Sequence, residues 1–136
     1  MILNWYYKIW VDGIIKLRSI PSNRGIWKFY SMIFISLAMA FNLGIVISLV
    51  ERNILRHSFF NINLFENQKA NAFFSFFVVF MLTPLLVNYL LIFRKKRYEL
   101  LITKYRSYNG KLCASYIVIS YLLPFILLLV AFLLGY

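Results

Sequence analysis

The chain has 136 residues, 62% of them apolar and 20% aromatic, and a net charge of +11 from 15 Lys and Arg against 4 Asp and Glu. A soluble domain carries roughly 45–50% apolar residues, so this composition, with a mean hydropathy of +0.76, excludes a water-soluble globule. The cations stand in blocks between long uncharged runs rather than dispersed through a folded surface, which argues against nucleic acid as a partner. The single cysteine, Cys113, excludes an internal disulfide and any cysteine-based metal site.

Residues 1–25 form the first predicted element. A helical wheel over residues 2–20 puts Asn4, Lys8, Asp12, Lys16 and Ser19 on one face and Ile2, Leu3, Tyr6, Ile9, Trp10, Leu17 and Ile20 on the other, with Trp5 and Ile15 off the apolar stripe. That is the pattern of an amphipathic helix lying in a membrane interface. Asp12 stands four residues from both Lys8 and Lys16, so it is expected to pair with them at about 0.2–0.5 kcal/mol each. Lys8, Asp12, Lys16 and Arg18 interrupt every short apolar stretch and leave no signal-peptide core, so the segment is expected to be retained. Residues 21–25, opening on Pro21 and closing on Gly25, read as a turn.

Three uncharged apolar runs follow, at residues 29–50, 70–93 and 112–136. Each exceeds the roughly 18–20 residues that cross the hydrocarbon core. They are apolar all round rather than alternating, which excludes barrel strands. The first run carries Ser36, Ala40, Gly44 and Ser48 at every fourth position, a ridge of small side chains that lets another helix approach closely. That neighbour is either another span of the same chain, a second copy or a different protein. Trp27 and Tyr30 stand where an interfacial aromatic belt would enter this span, and Tyr136 where one would close the last.

The link at residues 51–69 sets Phe59, Phe60, Ile62, Leu64 and Phe65 among asparagines, an apolar surface expected to lie in the interface or under a docked partner. Arg52 and His57 match a spacing found in some helical ribonucleases, but two residues are too few to carry that activity. Glu51 and Glu66 lack the further ligands a metal would need.

Within the spans the costly polar groups are Asn42 and Asn88. At 1.5 Å per residue Asn42 lies about 21 Å from Lys28 and Asn88 about 9 Å from Arg94, so the two should not meet. Asn88 is nearer in depth to Ser36, Ser115 and Ser120, and a bond to one of these is expected. Pro84 and Pro124 are expected to kink the second and third spans, as fixed bends rather than hinges. No Asp, Glu, Lys, Arg or His falls inside a span, so the ionisable groups that mark pumps and transporters are missing.

Residues 94–111 form a second basic element. Tyr98, Leu101, Ile102 and Tyr105 follow helical spacing, Arg94, Lys95, Lys96, Arg97, Lys104 and Arg106 surround them, and Asn109 with Gly110 reads as a helix stop. The second span is expected to continue into this helix. Its cations either only set topology or bind anionic lipid headgroups or an acidic partner. Cys113, at the entrance of the third span, reads as a small apolar filler, with lipidation the alternative.

Orientation follows from the flanks. Residues 1–28 and 94–111 together hold twelve Lys and Arg, against three (Arg52, Arg56, Lys69) in the link at 51–69 and none in the tail. The positive-inside rule then puts the N-terminus in the cytoplasm and the C-terminus outside.

The strings WYYKIWVDGIIKLRS, WKFYSMIFISLAMAFNL and NYLLIFRKKRYELLITKY resemble small three-span inner-membrane proteins of anaerobic gut-type bacteria. The resemblance runs over nearly the whole chain. It implies a bacterial inner-membrane location and no particular activity.

The expected architecture is all-α: three transmembrane helices with an N-terminal amphipathic helix, in one domain. No catalytic, cofactor or metal residues are assigned. The expected function is a non-enzymatic accessory or scaffold subunit that binds other membrane proteins, or its own copies, and anionic lipid. A membrane-defence component, either a toxin-immunity protein or an oligomeric pore, is the alternative, and a small transporter the third.

Overall fold

The computed structural model describes residues 1–56 and 62–135. Among them the chain is all-α. Helix α1 spans Ile2–Ser19 and is followed by a 3-10 turn at Pro21–Asn23, where a turn was expected. Helix α2 spans Trp27–Val50 and is extended by a π turn, Glu51–Leu55, that Arg56 ends in a left-handed conformation with φ 53°. The second long helix is composite: α3 (Gln68–Ser75), a π segment (Phe76–Met81), α4 (Leu82–Asn88) and a second π segment (Tyr89–Phe93). Helices α5 (Arg97–Lys104) and α6 (Lys111–Leu133) complete the chain.

Three helical stretches, Trp27–Ile54, Gln68–Lys104 (which includes a kink at Lys95) and Lys111–Leu133, are long and apolar enough to cross a bilayer, which takes about 20 helical residues. The protein is thus a three-span helical membrane protein with an additional N-terminal helix. The link at 51–69 is shorter than expected, because helical structure persists to Leu55 and resumes at Gln68. Asn67 caps α3 through the Lys69 N–H at 2.9 Å. One turn further on, Asn71 accepts the N–H groups of Leu64 and Phe65 (3.0 and 2.8 Å) and donates to the Phe65 carbonyl at 2.7 Å. Ser75 accepts the Ile62 N–H at 2.9 Å. These two side chains satisfy loop backbone that would otherwise need water.

Pro84 has no N–H to give the carbonyl four residues before it. The chain answers by widening the preceding turn: the Leu82 N–H reaches back five residues to the Phe77 carbonyl, and the Thr83 hydroxyl donates to the Val79 carbonyl at 2.9 Å. Pro124 sits inside a continuous α6. The second span does not run on into the basic helix as expected. Lys95 and Lys96 both adopt left-handed conformations (φ 54° and 55°), which ends the helix after Phe93 and starts α5 as a separate element. Nor do Asn109 and Gly110 stop α5, which closes at Lys104; with φ 57° and 80° they form the turn that launches α6.

Helix α2 is the hub. The second span and α6 each pack on it and make little direct contact with each other, and α1 packs against α2, α5 and α6. The core therefore gathers at the end of the molecule that carries α1 and α5, the basic end. It comprises Tyr7, Trp10 and Ile14 of α1, Trp27 and Ile35 of α2, and Ile92, Tyr98 and Cys113. Edge-on ring contacts join Trp10 to Phe93 (5.6 Å) and Trp27 to Tyr98 (5.3 Å), the geometry aromatic pairs favour.

The expected apolar face of α1 packs on the core through Tyr6, Ile9, Trp10 and Leu17, but the assignment needs correction at Asp12, Ile2 and Leu3. Trp10, Val11, Asp12 and Ile14 are all 0% exposed, while Ile2 and Leu3 at its start are exposed. The middle of the helix is enclosed by protein.

Candidate functional site

Helix α6 begins directly after Gly110, which has no side chain to cap it. Its first N–H groups lack intrahelical partners. Asp12 supplies them from α1. Its Oδ2 accepts the N–H groups of Leu112 (2.9 Å) and Cys113 (3.1 Å), and its Oδ1 accepts those of Tyr108 and Gly110 (3.0 Å) and the Ser107 hydroxyl (3.1 Å). An anion at a helix N-terminus is also favoured by the helix dipole. Burial by itself raises the Asp12 pKa, but the donors from Gly110, Cys113, Tyr108 and Ser107 outweigh it and hold the carboxyl below its ordinary range.

The expected pairs with Lys8 and Lys16 are not formed. Lys16 instead donates to Asn109 Oδ1 at 3.2 Å, and Lys8 lies over the Trp5 ring at 5.2 Å. The i±4 spacing was right for a helix, but the carboxylate faces a backbone with several N–H donors in place, which a flexible lysine cannot match.

The crossing of α1 over the start of α6 is close. A Cβ on Gly13 would lie 2.7 Å from Cys113 Sγ, and one on Gly110 would lie 2.6 Å from Lys16 Cγ. Sequence reasoning read Gly110 only as part of a helix stop and Asp12 only as a partner of the lysines, and it missed the close approach at Gly13. The available signal was an Asp-Gly pair inside a helical pattern, together with an apolar span that starts after Asn-Gly with no Ser, Thr or Asp to cap it.

Both intramembrane asparagines are satisfied between helices. Asn88 donates to Ser36 Oγ at 2.8 Å and accepts the Tyr6 hydroxyl at 2.8 Å, so of the three candidate serines its partner is Ser36. Asn42 donates to Tyr116 Oη (3.2 Å) and Ser120 Oγ (2.9 Å), well away from Asn88. The Trp10 indole N–H has no hydrogen-bond partner, and its ring is held by edge-on contacts to Tyr6 and Phe93.

The small-residue ridge divides in two. Ser36 and Ala40 are 0% exposed inside the bundle, whereas Gly44 is half-buried and Ser48 is exposed. The second pair lines a cleft of about 510 Å³ between the three spans, in their halves away from the basic end, with Phe41, Phe80, Pro124 and Leu127 among its walls. A Cβ on Gly44 would meet nothing closer than Phe80 Cδ1 at 4.0 Å. Beyond Pro124, α6 shows large apolar side chains outward, Phe125, Leu128 and Leu129 among them.

At the basic end Arg94, Lys95, Lys96, Arg97, Lys104 and Arg106 are all exposed. Tyr98, Leu101, Ile102 and Tyr105, the expected apolar face of the basic helix, pack on the core. Arg18 pairs with Glu99 at 3.3 Å and so ties α1 to α5. At the opposite end Phe65 is 51% exposed and meets Phe74 edge-on at 5.7 Å. Phe59, Phe60 and His57 lie outside the described residues, as does Tyr136. Among the described residues no three His, Cys, Asp or Glu side chains are grouped to hold a metal ion.

No protein-family model matches the chain, and neither a curated protein nor a solved structure matches it.

Proposed function

We propose that this protein is a non-enzymatic accessory subunit of the bacterial inner membrane, and that its outer cleft receives a transmembrane helix of another membrane protein. The observation that carries this reading is the division of the α2 ridge: Ser36 and Ala40 are consumed in the chain's own packing, whereas Gly44 and Ser48 open onto the cleft. Helices associate in lipid through such small-residue surfaces, because apolar area alone gives no driving force there. The twelve cations at the basic end against three elsewhere support an orientation with α1 in the cytoplasm.

A pore is less well supported. It needs a polar stripe facing water, and Ser36, Asn42, Asn88 and Ser120 are instead bonded across helix interfaces.

The test is a photo-crosslinking side chain placed at Ser48, with a control at Val118, in cells producing the tagged chain. A discrete adduct to a second membrane protein at Ser48 but not at Val118, abolished by Gly44→Leu, is the expected result. Adducts to lipid alone at both positions contradict the reading, and an adduct to the chain itself moves self-assembly ahead of it.

A further inference from the structure

A groove of about 440 Å³ runs between α2 and the second span at the basic end, lined by Met32, Ile33, Leu85 and Tyr89 along its length and by Lys28 and Lys96. At 1.5 Å per residue Ile33 stands about 7.5 Å deeper than Lys28, and Leu85 about 13.5 Å deeper than Arg94. The groove therefore starts among cations at headgroup level and continues along mainly apolar walls into hydrocarbon.

We propose that this groove binds one anionic phospholipid, with the phosphate between Lys28 and Lys96 and an acyl chain laid along Ile33 and Leu85. The proposal relies on the basic end facing a leaflet surface and is independent of the partner cleft, which is formed by the outer halves of the spans.

Three observations carry it. First, neither lysine is in an ion pair among the described residues; the nearby carboxylate, Glu99, is held by Arg18. Second, the Lys28 ammonium is steadied over the rings of Trp27 (5.6 Å) and Tyr98 (5.4 Å), contacts that fix its place without neutralising its charge. Third, Lys96 reaches the groove from two successive left-handed residues, Lys95 and Lys96, a backbone that side-chain-bearing residues adopt at a cost and keep where the surroundings enforce it.

The chemistry selects the occupant. An extended peptide entering the groove would carry unpaired backbone N–H and C=O groups into hydrocarbon. A zwitterionic headgroup would set its own cation against the two lysines, whereas an anionic one meets them with net negative charge.

The experiment is native mass spectrometry of the full chain after reconstitution in equal phosphatidylglycerol and phosphatidylcholine. One retained phosphatidylglycerol per chain is expected. The Lys28→Ala and Lys96→Ala double variant should lose that adduct by about tenfold or more, while Arg24→Ala with Lys111→Ala, which removes as many charges from the same end, keeps it. Ile33→Trp fills the groove without altering charge and should also lose the lipid, so it decides the matter if the double variant does not fold. Equal retention of the two lipids, equal losses in both charge variants, or an adduct indifferent to Ile33→Trp overturns the proposal.

Discussion

The carboxylate of Asp12 on α1 accepts the backbone N–H of Cys113 on α6 at 3.1 Å, across a sequence separation of 101 residues. Through this bond and its four companions the N-terminal helix supplies the cap that the third span lacks in its own sequence. Elements at the two ends of the chain are thereby joined, and α1 becomes a structural part of the bundle.

Removing that carboxylate strips a charged acceptor from several donors at once. Asp12→Ala is expected to lower stability by about 3–5 kcal/mol, because N–H groups are left unpaired in a buried site. Asp12→Asn keeps the shape but turns an NH2 toward donors and should cost more than half as much. Lys8→Ala should stay within about 0.5 kcal/mol, as for an ordinary surface substitution. Thermal unfolding in detergent, followed by tryptophan fluorescence, measures all three.

The same carboxylate sets a pH dependence. Its folded-state pKa lies below the usual value of about 3.9, so its contribution is complete above that value and is lost as pH falls through the folded pKa. The part of the stability that depends on Asp12 should be level from pH 8 to 5 and decline below about pH 4. The difference in melting temperature between wild type and Asp12→Ala should shrink in that acid range; a difference that grows there contradicts the assignment.

Gly13 and Cys113 form a steric pair. Gly13→Ala brings a methyl to 2.7 Å from the sulfur, and a clash of this kind typically costs about 1–3 kcal/mol. Cys113→Ala removes the obstructing atom. The double variant should therefore be more stable than the sum of the two single effects allows, with a coupling of about 1 kcal/mol or more in a double-mutant cycle.

The Tyr6–Asn88–Ser36 chain ties α1 to two spans below the headgroup level. Asn88→Leu is expected to cost about 1–2 kcal/mol, in the upper part of the range for hydrogen bonds between membrane helices. Tyr6→Phe should cost less, and its effect should largely vanish in the Asn88→Leu background. Additive losses in the same unfolding assay rule out the chain as a coupled unit.

The spans were legible because hydrocarbon imposes a blunt requirement, an uncharged run of sufficient length, that a single sequence displays directly. The helical period of residues 2–20 was equally plain. The burial of Asp12 was not, because the wheel ranks side chains by polarity and Asp12 is polar. Its burial depends on the turn at Ser107–Gly110, whose backbone donors are invisible in composition. That Asn88 would bond to Ser36, Ser115 or Ser120 was legible from depth, since each asparagine in lipid needs a partner at its own level, but the choice of Ser36 was not. The break at Lys95 and Lys96 was hidden for a different reason: lysine is a good helix former, and its left-handed backbone here is imposed by α5 folding back under α1. The split of the ridge depends on where the second and third spans diverge, which no periodicity records.

The proposed role as a subunit is tested most directly by the native mass of the tagged chain extracted in mild detergent, with every copurifying chain identified. A complex with another membrane protein is expected, lost on Gly44→Leu while the helical content of the chain is unchanged. A single species containing this chain alone, whether monomer or homo-oligomer, and the same for wild type and Gly44→Leu, contradicts it.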